Sequence, residues 1–456
     1  MTEHEHEHAR VPGGLRIALL GTRGVPARYG GFETCVEEVG ARLAARGHEV
    51  VVYGAHQDSH GPVPDRYRGM RIVNLPAIRR RSLETLSRSA LGTAHVGLEQ
   101  VRAAGAGSRR ARVDAAIVFN AANAPLLPAL RALGVPVATH VDGLEWKRTK
   151  WGPVGQRYYR RAEALAVRFS DALIADARGI ADYYEQRYSA ATSLISYGAP
   201  VVPGDGDPER LAELGLVPGG YHLVVARFEP ENHVDVVVAG YAASTARKPL
   251  VVVGSAPYAA AHTARIRSHA DDRVRFLGGV WDQDLLDQLY AGAHTYLHGH
   301  SVGGTNPSLL RAIGAGAAVD AFDVGFNREV LQDAGRYWTD AHDVRRLVED
   351  AEADEAAVHA RGRAGRARAR VYDWDLVADD YEALCRDLAE RRRGQPPEPA
   401  TRPTVDLRGS ARSGNGADPG APAEAPVAVW DIAGPEASVQ PASLLLGDRA
   451  GARATR

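Results

Sequence analysis

Apolar positions along this chain fall into two patterns, short solid runs and stripes at helical spacing, and their alternation predicts a layered α/β protein. Arg16 to Gly21 (RIALLG) is a solid run of buried-strand type. After the loop GTRGVPARYGG, Phe32, Val36, Val39 and Leu43 recur at helical spacing until Gly47, and Glu49 to Tyr53 forms the next run. This βαβ opening implies a parallel sheet with ligands at the strand C-termini. Runs at Met70–Leu75, Ala115–Phe119, Pro136–His140, Ala172–Ala177 and Ser193–Tyr197, with a helix across Leu83–Ala103, continue the alternation. A second series begins after a stretch dense in Pro, Gly and Asp. Its strands are Leu223–Ala226, Leu250–Val253, Val274–Leu277, Thr295–Leu297 and Ala318–Phe322. Helices fall between them, such as Asp282–Ala293, capped by Asp282 with Leu285, Leu286 and Leu289 inward. Trp374, Val377, Tyr381, Leu384 and Leu388 make one further amphipathic stripe.

These patterns divide the chain into a polar leader (1–13), a first doubly wound domain (14–199), a linker (200–220), a second such domain (221–373), a helix (374–393) and a tail (394–456). The tail turns to Pro, Ala, Gly, Ser and Arg without periodicity and is expected to be disordered and dispensable. The leader, with alternating Glu and His, reads as a disordered segment; metal binding is its other reading.

Composition narrows the partners. A net charge of -1 over 456 residues gives no global attraction to nucleic acid. Cys35 and Cys385 suggest no disulfide framework and fit a reducing cytoplasm. No run reaches the length of a membrane span, and the N-terminus lacks the apolar core of a secretory signal. The segment Lys147 to Arg168, rich in Arg, Tyr and Trp, suits either a solvated helix face or the inner surface of an anionic membrane.

Candidate chemistry concentrates in HGHSVGGTNPSLLRAIGAGA, residues 298–317. Asn306 is a preferred N-cap and Pro307 suits the first helical position, while Gly303 and Gly304 let backbone approach a ligand. Ser308 and Leu309 are then placed to offer amides to a phosphate. The other reading is a plain strand-to-helix turn. The first loop is not GxGxxG, so the dinucleotide fingerprint is absent and an oxidoreductase is disfavoured. Gly30 and Gly31 nonetheless stand at a helix start that a phosphate or sugar can approach. A third loop, VDGLEWKRTKW (141–151), puts Asp142, Glu145, Lys147 and Arg148 directly after a strand, as ligand groups or as surface ion pairs.

Taken together, GTRGVPARYGGFE (21–33), VDGLEWKRTKW (141–151), IADARGIADYY (174–184), RFEPEN (227–232), GHSVGGTNPSLL (299–310) and FNREVLQDAG (326–335) resemble the retaining glycosyltransferases of GT-B fold, in their rhamnosyltransferase-like branch of bacterial polysaccharide biosynthesis. The resemblance spans residues 14 to 390 in order. It implies two Rossmann-like domains facing a cleft, with the 374–393 helix crossing back to the first domain. It further implies a hexosyltransferase that moves a hexose or deoxyhexose, L-rhamnose from a dTDP-linked donor, to a cell-surface glycan or lipid-linked acceptor. Retention of configuration and no cofactor go with it, and because no DxD motif stands at an expected strand end, no metal requirement is expected. Donor contacts are then expected from Gly30, Gly31, Arg227, Glu231, Ser301, Gly303, Gly304, Thr305, Asn306, Ser308 and Leu309. Acceptor contacts are expected from Arg23, Tyr29, Asp142, Trp146 and Lys147, and catalytic roles from Asp142, Glu145 and Arg227. Such enzymes commonly carry Glu where this chain has Ser301 or Gly303, another Glu at Arg311, and Lys at Asn232. Those departures motivate an alternative, a catalytically degenerate GT-B protein that binds a nucleotide sugar or a partner glycosyltransferase.

Overall fold

The computed structural model describes residues 13–27, 30–55, 64–78, 84–108, 111–141, 143–202, 204, 206–255 and 260–392. Residues 1–12 of the leader and the whole tail therefore lie outside the described residues.

The first sheet has eight strands: β1 (Arg16–Leu20), β2 (Glu49–Ala55), β3 (Arg66–Tyr67), β4 (Met70–Leu75), β5 (Ala115–Phe119), β6 (Val137–His140), β7 (Ala172–Ala175) and β8 (Ser193–Leu194). Their order is β3-β4-β2-β1-β5-β6-β7-β8, parallel throughout except for the short β3–β4 hairpin. The second sheet is wholly parallel and contains β9 (His222–Val225), β10 (Leu250–Val253), β11 (Val274–Gly278), β12 (Thr295–His298), β13 (Ala318–Phe322) and β14 (Gly335–Trp338), in the order β11-β10-β9-β12-β13-β14. Solid apolar runs such as RIALL and AAIVF form central strands because helices cover both faces, and every residue of β1 and β5 is buried. Strand order reverses between β1 and β5 and between β9 and β12. Doubly wound sheets open a crevice at such points, beyond the strand C-termini.

The helix Trp374–Arg392 leaves the second domain and packs on the helix Gly31–Ala45 of the first. Trp374, Val377, Tyr381 and Leu388 are buried along it and Leu384 is half-buried. The Trp374 ring lies against Gly198, where a Cβ would collide with it. The Cys35 thiol meets the Tyr381 hydroxyl at 3.6 Å, and burial pushes both cysteines up to about 12. Ion pairs Arg42–Asp375 (2.7 Å), Arg46–Asp379 (3.0 Å) and Arg46–Glu382 (2.9 Å) finish the contact. The architecture is that of two Rossmann-like domains with a returning helix. Among the described residues no helix is long and apolar enough to cross a membrane.

Candidate active site

The C-terminal edges of the two sheets border a cleft of about 1020 Å³. Two helix starts meet there. Gly30–Gly31 opens the helix Gly31–Ala45, and Asn306 caps the helix Pro307–Ala315. A Cβ on Gly31 would stand 3.0 Å from the Pro307 ring, so a larger residue here would have to push that ring back by a few tenths of an ångström. Both helices aim their positive ends into the cleft.

The cap works as its residue types require. Asn306 accepts from the Ser308 N–H at 2.8 Å. The Leu309 N–H is bonded to the Asn306 carbonyl at 3.0 Å, and Leu309 is fully buried. Leu309, expected as a donor contact, is placed with its amide closing the first turn and its side chain in the core. Ser308, Asn306, Thr305, Gly304 and Gly303 do line the cleft. The glycines also let the first domain close on this loop, because a Cβ on Gly143 would strike the Gly303 backbone and one on Gly304 would strike the Asp176 carboxylate. The Thr305 hydroxyl donates to the Asp176 carbonyl at 2.7 Å.

Across from these helix starts the loop after β6 supplies cations. Arg148, Lys150 and Glu145 line the cleft together with Arg227, which follows β9. Glu145 is held by Arg148 at 2.8 Å, by Lys150 at 3.6 Å and by the Trp151 indole N–H at 3.1 Å. Burial alone would raise its carboxyl, but Arg148 and Lys150 outweigh that and keep it below the usual range. Glu145 is therefore an ionised anchor for two cations rather than an uncommitted base. Burial, together with Arg148 and Arg227 nearby, depresses the Lys150 ammonium against the opposing pull of Glu145. Arg148, Lys150 and Arg227 outnumber Glu145 and the nearby Glu229, a balance that suits an anion.

Arg227 is braced from behind. Its carbonyl accepts from the Asn232 amide at 2.8 Å, and the Asn232 oxygen faces His300 Nδ1 at 2.8 Å. His300 thus donates from Nδ1 and keeps Nε2 as an acceptor. Burial and the Arg148 charge hold it neutral, well below the ordinary histidine range. His298 also lines the cleft. Its Nδ1 lies 3.2 Å from the Tyr296 hydroxyl, and burial pushes its pKa down to about 3.

Several expected residues are placed elsewhere. Glu231 is buried outside the cleft lining, bonded to the Thr149 hydroxyl at 3.1 Å, and its carbonyl accepts the Ser301 amide and hydroxyl at 2.9 and 3.0 Å. Ser301 therefore fastens one loop to another instead of facing the cleft. Trp146 turns away, stacked under Arg160 at 4.4 Å, and the exposed Lys147 lies 5.6 Å over the same ring. Neither of these two expected acceptor contacts lines the cleft. Arg23 does line it. Tyr29 and Asp142 lie outside the described residues.

Sequence reading passed over Lys150, His298 and His140. His140 ends β6 in a cage of Phe32, Phe119 and Tyr197 rings, 5.3 to 5.6 Å away, and burial holds it near 3. A polar residue closing an apolar run is the signal that marks both histidines. Asp340, His342 and Asp343 bring possible metal-ligand atoms within 4.8 Å of one another, but they do not line the cleft.

Residues 30–198 match the family described as glycosyl transferase 4-like domain, and residues 220–357 match glycosyl transferases group 1. No curated protein sequence matches the chain. Among solved structures, the fold is similar to sucrose-phosphate synthase from Thermosynechococcus elongatus, with 20% identity, a TM-score of 0.69, and coverage of 82% of this chain and 99% of that one. Anabaena HepE in complex with UDP-glucose aligns at 16% identity and a TM-score of 0.62, covering 81% and 99%. A trehalose-phosphate synthase (UDP-forming) from Burkholderia xenovorans, in complex with glucose-6-phosphate, aligns at 14% identity and 0.59, covering 81% and 100%. At these identities the likeness is one of fold.

Proposed function

The chain belongs to the glycosyltransferases of GT-B fold, and from that premise we propose that it moves L-rhamnose, or a related hexose, from a dTDP-linked donor to a cell-surface glycan or lipid-linked acceptor. The observation that carries this reading is the pairing of two opposed helix starts with Arg148, Lys150 and Arg227 across one cleft. A nucleoside diphosphate gathers negative charge as its bond to the sugar C1 breaks. Fixed dipoles and cations aimed at that charge are the strongest catalytic lever such a cleft offers. Rhamnose and the acceptor come from the motif resemblance, not from the cleft.

Retention of configuration and independence from metal belong to the same proposal. A double displacement requires a carboxylate nucleophile on the far face of the sugar. Glu145 has both oxygens committed to Arg148, Lys150 and Trp151. Ser301 and Arg311 stand where related enzymes carry acids. In front-face transfer the acceptor oxygen attacks C1 as the diphosphate leaves, and the departing phosphate oxygen takes the acceptor's proton. Asp142 remains the candidate for orienting the acceptor hydroxyl.

One observation favours the degenerate reading. Arg311 lines the cleft, but its guanidinium is tied to Asp287 at 2.5 Å and Gln283 at 2.7 Å. Titration calorimetry with dTDP-rhamnose, UDP-glucose and other nucleotide sugars, followed by turnover with lipid-linked acceptors, separates the two. Binding with transfer is expected. Binding without transfer across the acceptor panel favours the degenerate protein, and no binding of any donor sinks both.

A further inference from the structure

The loop that follows β12, residues 299–306, contains no carboxylate. Its polar groups are largely engaged inside the protein. The Ser301 hydroxyl donates to the Glu231 carbonyl, the Thr305 hydroxyl donates to the Asp176 carbonyl, and the Asn306 oxygen accepts from Ser308. The Gly299 carbonyl faces His233 Nδ1 at 2.8 Å. His300 is different. It lines the cleft with 8% of its surface exposed, and its Nε2 has no hydrogen-bond partner among the described residues.

The state of that nitrogen follows from its neighbours. The Asn232 amide donates to the Arg227 carbonyl, which turns the Asn232 oxygen toward His300, and an oxygen there can only accept. The proton of the neutral ring therefore sits on Nδ1, and Nε2 carries a bare lone pair. Gly303 keeps it uncovered, since a Cβ at that position would stand 3.0 Å from Nε2. A phosphate oxygen is itself an acceptor and has no proton to give such a nitrogen; Arg148, Lys150 and Arg227 are its partners. The group that suits Nε2 is an uncharged donor, an O–H.

We propose that His300 Nε2 accepts a hydrogen bond from a hydroxyl of the sugar being transferred, with Asn232 as the positioning residue that holds the nitrogen bare. Two kinds of hydroxyl enter such a cleft, those of the donor sugar and that of the acceptor. His300 shares one scaffold with the groups that face phosphate. Asn232 joins it to the Arg227 backbone, and its loop runs into the helix start at Asn306. The donor sugar is bonded to the phosphate that this scaffold faces, so its hydroxyls are the ones brought to Nε2. A hydroxyl left without an acceptor weakens binding, so this contact separates sugars that place a hydroxyl here from those that do not. The inference rests on the nucleotide-sugar class proposed above and names a residue that reads the sugar.

The test is calorimetry of the full chain with dTDP, with dTDP-L-rhamnose, and with the 2-, 3- and 4-monodeoxy forms of that donor. In His300→Phe the affinity for dTDP should stay within about twofold, while that for dTDP-L-rhamnose falls about threefold to tenfold, the range of one neutral hydrogen bond. His300→Gln, which returns a neutral acceptor, should recover part of the loss. One monodeoxy donor should bind the unaltered chain and His300→Phe equally, which identifies the hydroxyl. Equal affinity of the unaltered chain and His300→Phe for dTDP-L-rhamnose overturns the proposal. So does an equal loss for dTDP and its rhamnose conjugate, which would make His300 a support of the phosphate site. Unchanged donor affinity with a raised KM for the acceptor overturns it too, and would assign Nε2 to the acceptor hydroxyl. If the unaltered chain binds dTDP and dTDP-L-rhamnose with the same affinity, this inference alone fails; if it binds neither, the donor reading fails with it.

Discussion

At the scale of single residues, the cleft separates groups that touch a ligand from groups that hold other groups. Arg227 lines the cleft and is proposed to be of the first kind, with its backbone fixed by Asn232 and Asn232 fixed by His300. Replacing Arg227 with Ala should weaken nucleotide-sugar binding by about 1.5–3 kcal/mol, the range for hydrogen bonds to charged groups. Calorimetry reads this directly, and unchanged affinity would remove Arg227 from the donor site. The cap at Asn306 was legible in the sequence because Asn followed by Pro has a local meaning that tertiary structure seldom overrides. Trp146, Lys147 and Ser301 were not, for a different reason. Their loops were identified correctly as lying at strand C-termini, yet which side of a loop a residue faces depends on its neighbours in space. Arg160 draws Trp146 outward, and the Glu231 carbonyl draws Ser301 down. Neither partner is visible from local spacing.

At the scale of elements, central strands were legible because burial on both faces demands solid apolar runs. Two elements lacked that signal. β3 is a two-residue hairpin arm at the sheet edge, and β14 (GRYW) holds only one fully buried side chain. The returning helix was legible from its stripe, but its polar contacts were not. Glu382 shows what they add. Burial would raise its carboxyl, and hydrogen bonds from Arg386, Arg46 and His48 outweigh this to hold it at about 2. A carboxyl depressed from an ordinary 4.5 to about 2 contributes stability that is present in full above the unfolded value and lost as pH falls toward 2. Glu382→Gln should therefore lower the melting temperature near neutral pH and flatten its decline between pH 4.5 and 2. Parallel melting curves for the two proteins across that window would show that the cluster around Glu382 does not couple the helix to the first domain.

At the scale of the whole molecule, the second domain's glycine loop reaches across the cleft to Gly143 and Asp176. The returning helix binds the same two domains on another side. The cleft so enclosed brings together dipoles and cations drawn from residues as far apart in the chain as Gly31, Arg148, Arg227 and Asn306. Such convergence follows from two doubly wound sheets opposing their crevices, and the ordered motifs announced it even where single residues did not. The central claim is that this cleft transfers a sugar by front-face attack, using the chain's own positive groups in place of a metal. The most direct measurement is transfer from dTDP-rhamnose to a lipid-linked acceptor by the purified chain, with the product anomer assigned by NMR in the presence and absence of a chelator. The account predicts a product that keeps the donor's anomeric configuration and a rate that chelation leaves unchanged. An inverted product, or activity that chelation abolishes and magnesium restores, would contradict it.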